Sequence, residues 1–416
     1  MSVDYIAGMH EKPSQTRLLN AAVVVAALGY FVDIYDLILF AVVRVPSLKS
    51  LGLNDAEILT KGVFLLNTQM VGMLLGGLLW GILGDRKGRL SVLFGSILTY
   101  SIANGANAFV HSVEAYAFWR FVAGVGLAGE LGAGVTLVAE ILPKEKRGWG
   151  TALVASVGVL GALLAGTVAK FLDWRTAYMV GAALGLSLLV LRISVVESGM
   201  FEQMRSGAAP RGDFLSLLKT WKSASKYLSC ILIGVPIWFV VGILVTFSPE
   251  FGRSIGMPEI PAAGTAVMFC YAGLALGDFG SGALSQWLRS RRKVVGIFLT
   301  ALALLSAFYL IGLPLTLPAF YGLCFALGLA GGYWAVFVTI AAEQFGTNQR
   351  ATAATTVPNF VRGAVALITT SFLWLKPSLG LRPAAAVVGT VTLVLALLAL
   401  LRLPETFAKD LDYLEK

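Results

Sequence analysis

The chain has 416 residues, 57% of them hydrophobic and only 13% charged, with 46 glycines and a formal net charge of +9. Soluble globular chains are about half apolar and about a quarter charged, so this balance excludes an ordinary soluble enzyme. The apolar stretches are continuous rather than alternating, which excludes a β-barrel.

In chain order, apolar runs bounded by charge, Gly or Pro fall near 18–43, 62–83, 90–110, 115–141, 150–170 and 176–194. A second set falls near 227–249, 262–287, 294–313, 319–342, 352–375 and 384–401. A bilayer-crossing helix uses about 20 apolar residues. The sequence therefore predicts an all-α integral membrane protein with twelve transmembrane helices in two pseudo-symmetric six-helix bundles. Residues 1–194 and 227–416 form the bundles, and the polar stretch 195–226 is a cytoplasmic linker. The first run is too long for the apolar region of a signal peptide and carries two aspartates. Cys230, Cys270 and Cys324 sit in apolar runs without C-x-x-C spacing and read as small packing residues.

With the N-terminus inside, basic residues crowd the inner loops. Two arginines, Arg120 and Arg362, lie within spans. The positive-inside rule then places both termini in the cytoplasm, with the protein in the cytoplasmic (inner) membrane. The same topology explains the positive charge without a nucleic-acid partner. The halves also repeat: Val135-Thr-Leu-Val-Ala-Glu140 with Arg147 recurs as Val338-Thr-Ile-Ala-Ala-Glu343 with Arg350. Parallel repeats facing a central cavity are a transporter architecture.

Between the second and third runs stands Gly81-Ile-Leu-Gly-Asp85-Arg86-Lys-Gly88-Arg89, a carboxylate and several bases at a helix end with glycines that permit a tight turn. This block resembles the loop signature of the major facilitator superfamily. Arg120-x-x-x-Gly124-x-Gly126-x-x-Gly129-Glu130 and Pro143-x-x-x-Arg147-Gly148 are similar to that family's fourth helix and the loop after it. Glu197-Ser198-x-x-Phe201-Glu202 and Asp33-x-x-Asp36 resemble the metabolite and aromatic-acid proton symporters and the organic-ion branch. Leu403-Pro404-Glu405-Thr406 resembles the end of sugar porters. The resemblance implies a gating role for Gly81, Asp85, Arg86, Gly88, Arg89, Glu140, Arg147, Glu343 and Arg350. The second half departs from the pattern, with Gln286 in place of Asp85. That half lacks the loop carboxylate.

Charge inside hydrocarbon is costly, so ionisable residues within spans face the bundle interior and are functional candidates. Asp33 and Asp36 are three residues apart and share roughly one helix face with Tyr30. Two close carboxylates cannot both ionise cheaply, which suits one of them to proton exchange. The alternative is a structural pairing with Arg120. Glu130 and Asp278 are further proton-coupling candidates, and the resemblance implies that Arg120 acts on a neighbouring carboxylate. His10 and His111 lie outside the spans, so coupling falls to carboxylates. Arg362, beside Asn359, is suited to grip a substrate carboxylate, or to bridge to Asp33, Asp36 or Asp278. Tyr30, Trp238, Tyr271, Tyr333 and Trp334 are candidates for an apolar binding wall.

Together these residues point to a secondary transporter that moves a small organic anion with protons by alternating access. Substrate, protons and membrane lipid are its partners, and no cofactor is implied. A carrier of organic cations or zwitterions is the alternative, since the acids within spans outnumber the bases. A sugar facilitator and a transporter-shaped receptor follow. No metal-ligand cluster, phosphate loop or nucleophile–histidine arrangement points to an enzyme.

Overall fold

A computed structural model describes residues 21–87, 89–130, 144–197 and 214–409. Among them the regular structure is entirely helical. The α-helices are α1 (Ala21–Ser50), α2 (Asp55–Lys87), α3 (Arg89–Asn107), α4 (Val113–Leu127), α5 (Lys144–Phe171) and α6 (Trp174–Glu197). They continue with α7 (Trp221–Phe239), α8 (Ser248–Ser254), α9 (Ala263–Trp287), α10 (Arg291–Ile311), α11 (Leu317–Gly331), α12 (Trp334–Glu343), α13 (Thr347–Leu379) and α14 (Leu381–Arg402). Nine candidate spans among the described residues have the length and apolarity to cross a membrane. The three cysteines are buried and free.

The ends of several helices follow from local chemistry. Ser112, Thr220 and Ser290 stand in extended conformation before α4, α7 and α10, and each hydroxyl accepts a hydrogen bond from a first-turn amide. Gly312 closes α10 with φ 73°, a left-handed conformation that favours glycine.

Three differences from the sequence reading bear on the site. Helix α1 continues past its predicted end at 43 and carries Arg44 with it, because Val45, Pro46 and Leu48 extend the apolar surface. The seventh run is α7, a π-helical turn over Val240–Val245 and then α8, with residues 221–226 of the expected linker forming the first turns of α7. The tenth run is not one helix: it breaks at Gly332–Tyr333 into α11 and α12. Glycine supplies the flexibility for that break, and the apolar run masks it from a hydropathy reading.

Small residues set the packing, as expected where lipid removes any hydrophobic drive between helices. In the first half, Gly72 and Gly76 of α2 meet the backbone of Phe121 and Val125 on α4, and Gly124 meets Gln69 and Met73. In the second, Gly273 and Gly277 of α9 meet Phe325 and Leu329 of α11, and Gly328 meets Cys270. A methyl group at any of these positions would overlap main chain. Between the halves, α2 packs on α13 and α5 on α9. These are second-with-fifth pairings of predicted spans in both directions, consistent with a two-fold relation between repeats.

Candidate functional site

The centre of the bundle is a buried charge cluster contributed by both halves. Asp33 of α1 meets Arg362 of α13, with Oδ2 3.3 Å from Nη2, and both side chains are fully buried. Trp334, the first residue of α12, lies with its ring centroid 5.7 Å from the Arg362 guanidinium carbon. Tyr30 adjoins Arg362 and Asp33, and Tyr271 of α9 shares the same electrostatic neighbourhood. Arg362 Nε and Nη1, Asp33 Oδ1 and the Trp334 and Trp238 indole nitrogens are buried without a hydrogen-bond partner. Buried donors and acceptors of this kind are costly unless a ligand or water satisfies them.

Asp33 and Asp36 do not form a shared pair. The 60° between positions three apart on a helix is enough to send them to different neighbours. Asp33 faces across the interface, whereas Asp36 packs against Gly181 of α6, near the Arg120 charge. Arg120 donates to Gln69 Oε1 and, at 3.4 Å, to Tyr178 Oη. Its guanidinium lies 4.3 Å from the Phe40 ring centroid. Asp36 has no hydrogen bond on either oxygen.

The other predicted residues have more committed positions. Glu130 forms a bidentate ion pair with Arg192 of α6, its Oε2 3.0 Å from Nη1. Asp278 Oδ1 accepts from the Ala335 amide at 3.1 Å, in the first turn of α12. Tyr333 donates its hydroxyl to the Ile233 carbonyl at 2.9 Å. Asn359 Nδ2 donates to the Ala128 carbonyl across the interface at 2.9 Å and to Thr355 O at 3.1 Å, which leaves Oδ1 free of partners. Trp238 is buried on α7.

Several residues escaped the sequence reading. Arg44 is fully buried between the halves and pairs with Glu250 of α8 at 2.9 Å, also donating to the Thr246 carbonyl at 3.2 Å. Arg192, near the end of the predicted sixth run, is 5% exposed and pairs with Glu130. Among the described residues the buried arginines are thus Arg44, Arg120, Arg192, Arg291 and Arg362, against the buried acids Asp33, Asp36, Glu130 and Asp278. The expected excess of intramembrane acid disappears, because α1 carries Arg44 beyond the apolar stretch that hydropathy marks and Arg192 lies near the end of the sixth one.

Gly81, Asp85, Arg86, Gly88, Arg89, Glu140 and Arg147 have side-chain positions outside the described residues. In the second half, Glu343 pairs with Arg291, at 2.6 Å to Nε and 2.8 Å to Nη2, while Arg350 lies in the first turn of α13. Glu405 accepts from the Ser290 hydroxyl and from the amides of Arg291 at 2.9 Å and Arg292 at 3.2 Å. Partial burial opposes its ionisation. The hydrogen bonds from Ser290 and the amides of Arg291, Phe407 and Arg292 outweigh that and hold the carboxyl at about 2. Two glutamates distant in sequence therefore supply the negative charge that Gln286 does not.

Comparisons with known proteins agree with this architecture. The sequence pattern described as Major Facilitator Superfamily matches residues 26–370. The chain is 27% identical to the gentisate transporter of Corynebacterium glutamicum, over 93% of this chain and 89% of that one. It is 30% identical to the 3-(3-hydroxy-phenyl)propionate transporter of Escherichia coli, over 63% of each. A solved D-xylose-proton symporter superposes with a TM-score of 0.68 at 16% identity, over 94% of this chain and 99% of that one, a likeness of fold.

Proposed function

The chain belongs to the major facilitator superfamily of membrane transporters, and from that premise we propose that it moves a small organic anion, an aromatic carboxylate foremost, together with a proton. The observation that carries this reading is the fully buried Asp33–Arg362 pair, one member from each half. Arg362 has five N–H donors and only Nη2 is engaged, so it has room for a second carboxylate. Tyr30, Tyr271, Trp238 and Trp334 offer the apolar surface that an aromatic ring requires. Asn359 Oδ1 offers an acceptor for a ring hydroxyl. The gentisate and hydroxyphenylpropionate transporters carry such substrates by name.

The coupling follows from charge balance. A substrate carboxylate that takes Arg362 from Asp33 leaves Asp33 buried without a counter-charge, a state costing several kcal/mol. A proton on Asp33 removes that cost, so anion and proton are loaded together. Asp36 beside Arg120 forms a second site where a proton and a guanidinium compete for one carboxylate. Twelve spans in two bundles, 1–194 and 227–416, rock about this centre with the linker and both termini in the cytoplasm. Arg44–Glu250 ties the halves on the outer side, and the charged loops of Asp85 and Glu343 act on the inner side.

Purified protein in liposomes tests the reading with labelled benzoate. An acidic exterior drives accumulation above equilibrium, and a protonophore abolishes it. Uptake that ignores the pH gradient rejects coupling; uptake of benzamide equal to that of benzoate rejects the anion assignment.

A further inference from the structure

The break between α11 and α12 leaves first-turn amides of α12 inside the protein. Such amides need acceptors. Gly332 has φ −76° and ψ 58°, outside the helical region, and Tyr333 at the cap position offers no side-chain acceptor. The acceptor comes from another helix: Asp278 Oδ1, 3.1 Å from the Ala335 nitrogen. Glycines bring it there. A Cβ on Gly332 would overlap the backbone of Gly277 and Asp278, so α9 and the break lie main chain against main chain. Asp278 is fully buried, and its Oδ2 has no partner. The positive end of the α12 dipole is the partner for its charge. Trp334, one residue from the anchored amide, is the residue whose ring lies against Arg362.

We infer that Asp278 is a positioning residue for the anion site: by anchoring the first turn of α12 it holds Trp334 over Arg362. This rests on reading Arg362 as the group that binds carboxylate. Asp278 thus acts on substrate affinity through the helix break, without touching substrate. The sequence contains both parts, an Asp after Gly277 and a Gly-Gly-Tyr-Trp segment, yet nothing in their separation of more than 50 residues shows that they meet.

Two measurements separate the anchor from the substrate reading. Amide hydrogen exchange over residues 334–338, without ligand, reports the anchor. Asp278→Ala speeds exchange there, whereas Asp278→Asn retains an Oδ1 acceptor and keeps it slow. Benzoate binding reports the consequence. Asp278→Ala weakens it by about 2- to 30-fold, the range expected for one cation–π contact, and Asp278→Asn stays within about twofold of the unmodified protein. In combination with Trp334→Phe, Asp278→Ala adds no more than about twofold to the loss from Trp334→Phe alone, since both act through one contact. Should Asp278→Ala not fold, Asp278→Leu fills the volume without an acceptor and serves in the same experiments. Unchanged exchange at 334–338, losses that multiply in the double variant, or an Asn variant as weak as the Ala variant each overturn the inference. Faster exchange in a protein that binds no benzoate keeps the anchor and rejects the anion reading on which its role depends.

Discussion

Arg362→Gln separates the two tasks assigned to Arg362. At 3.3 Å and an effective dielectric constant of about 20, its attraction to Asp33 is about 5 kcal/mol. Removing one member of a buried pair typically costs about 3–5 kcal/mol, because the remaining charge must be accommodated or protonated. The single variant should therefore unfold at markedly lower temperature. Asp33→Asn combined with Arg362→Gln removes both charges and should recover most of that stability. Affinity behaves differently. Hydrogen bonds to a charged group contribute about 1.5–3 kcal/mol, so both Arg362→Gln and the double variant should bind benzoate about 10- to 140-fold more weakly. Asp33→Asn alone frees Nη2 and should bind benzoate more tightly, with uptake no longer driven by a pH gradient. Thermal unfolding of the detergent-solubilised protein with and without benzoate measures stability and binding in one experiment. Benzoate affinity within threefold of the unmodified protein in Arg362→Gln refutes the reasoning, as does a double variant that regains affinity along with stability.

Gly29→Ala places a methyl on the Glu130–Arg192 pair and should destabilise by about 1–3 kcal/mol, with Gly29→Ser no better; denaturant unfolding measures it, and unchanged stability shows that the pair yields freely. Glu250→Gln removes the counter-charge of Arg44, and crosslinking between cysteines placed at Thr246 and Ile58 should fall, since both carbonyls are held by the same guanidinium; undiminished crosslinking refutes a tie between the halves. Glu405 has a folded-state pKa depressed to about 2 from an ordinary 4.5. Its contribution is complete above about 4.5 and is lost as pH falls toward 2, so Glu405→Gln should lower stability at pH 7 but not at pH 2. Equal effects at both pH values contradict the capping role of its charge.

Composition and hydropathy suffice to specify an all-helical membrane protein, because hydrocarbon admits a chain only when its main-chain hydrogen bonds close within each segment. The family is legible too, since the Gly-Asp-Arg-Lys-Gly-Arg block is local, with its residues adjacent. The same logic singles out Asp33, Asp36, Arg120, Glu130, Asp278 and Arg362, because charge within an apolar run is conspicuous on its own. What each of them faces is not local. Asp33 and Asp36 look like a pair in sequence and diverge in space, while Asp33 and Arg362 are 329 positions apart and meet. Arg44 sits just past the end of its apolar run and Arg192 near the end of its own, where both look like loop residues; only helix packing buries them against Glu250 and Glu130. The break before Trp334 is likewise hidden, because Gly332 lies inside a stretch, Leu317–Glu343, that is apolar on average, and the carboxylate that stabilises the break lies on another helix. The sequence sets which groups must be inside. Helix packing, directed by glycines at the crossings, decides which of them neutralise one another and which are left with donors for a substrate.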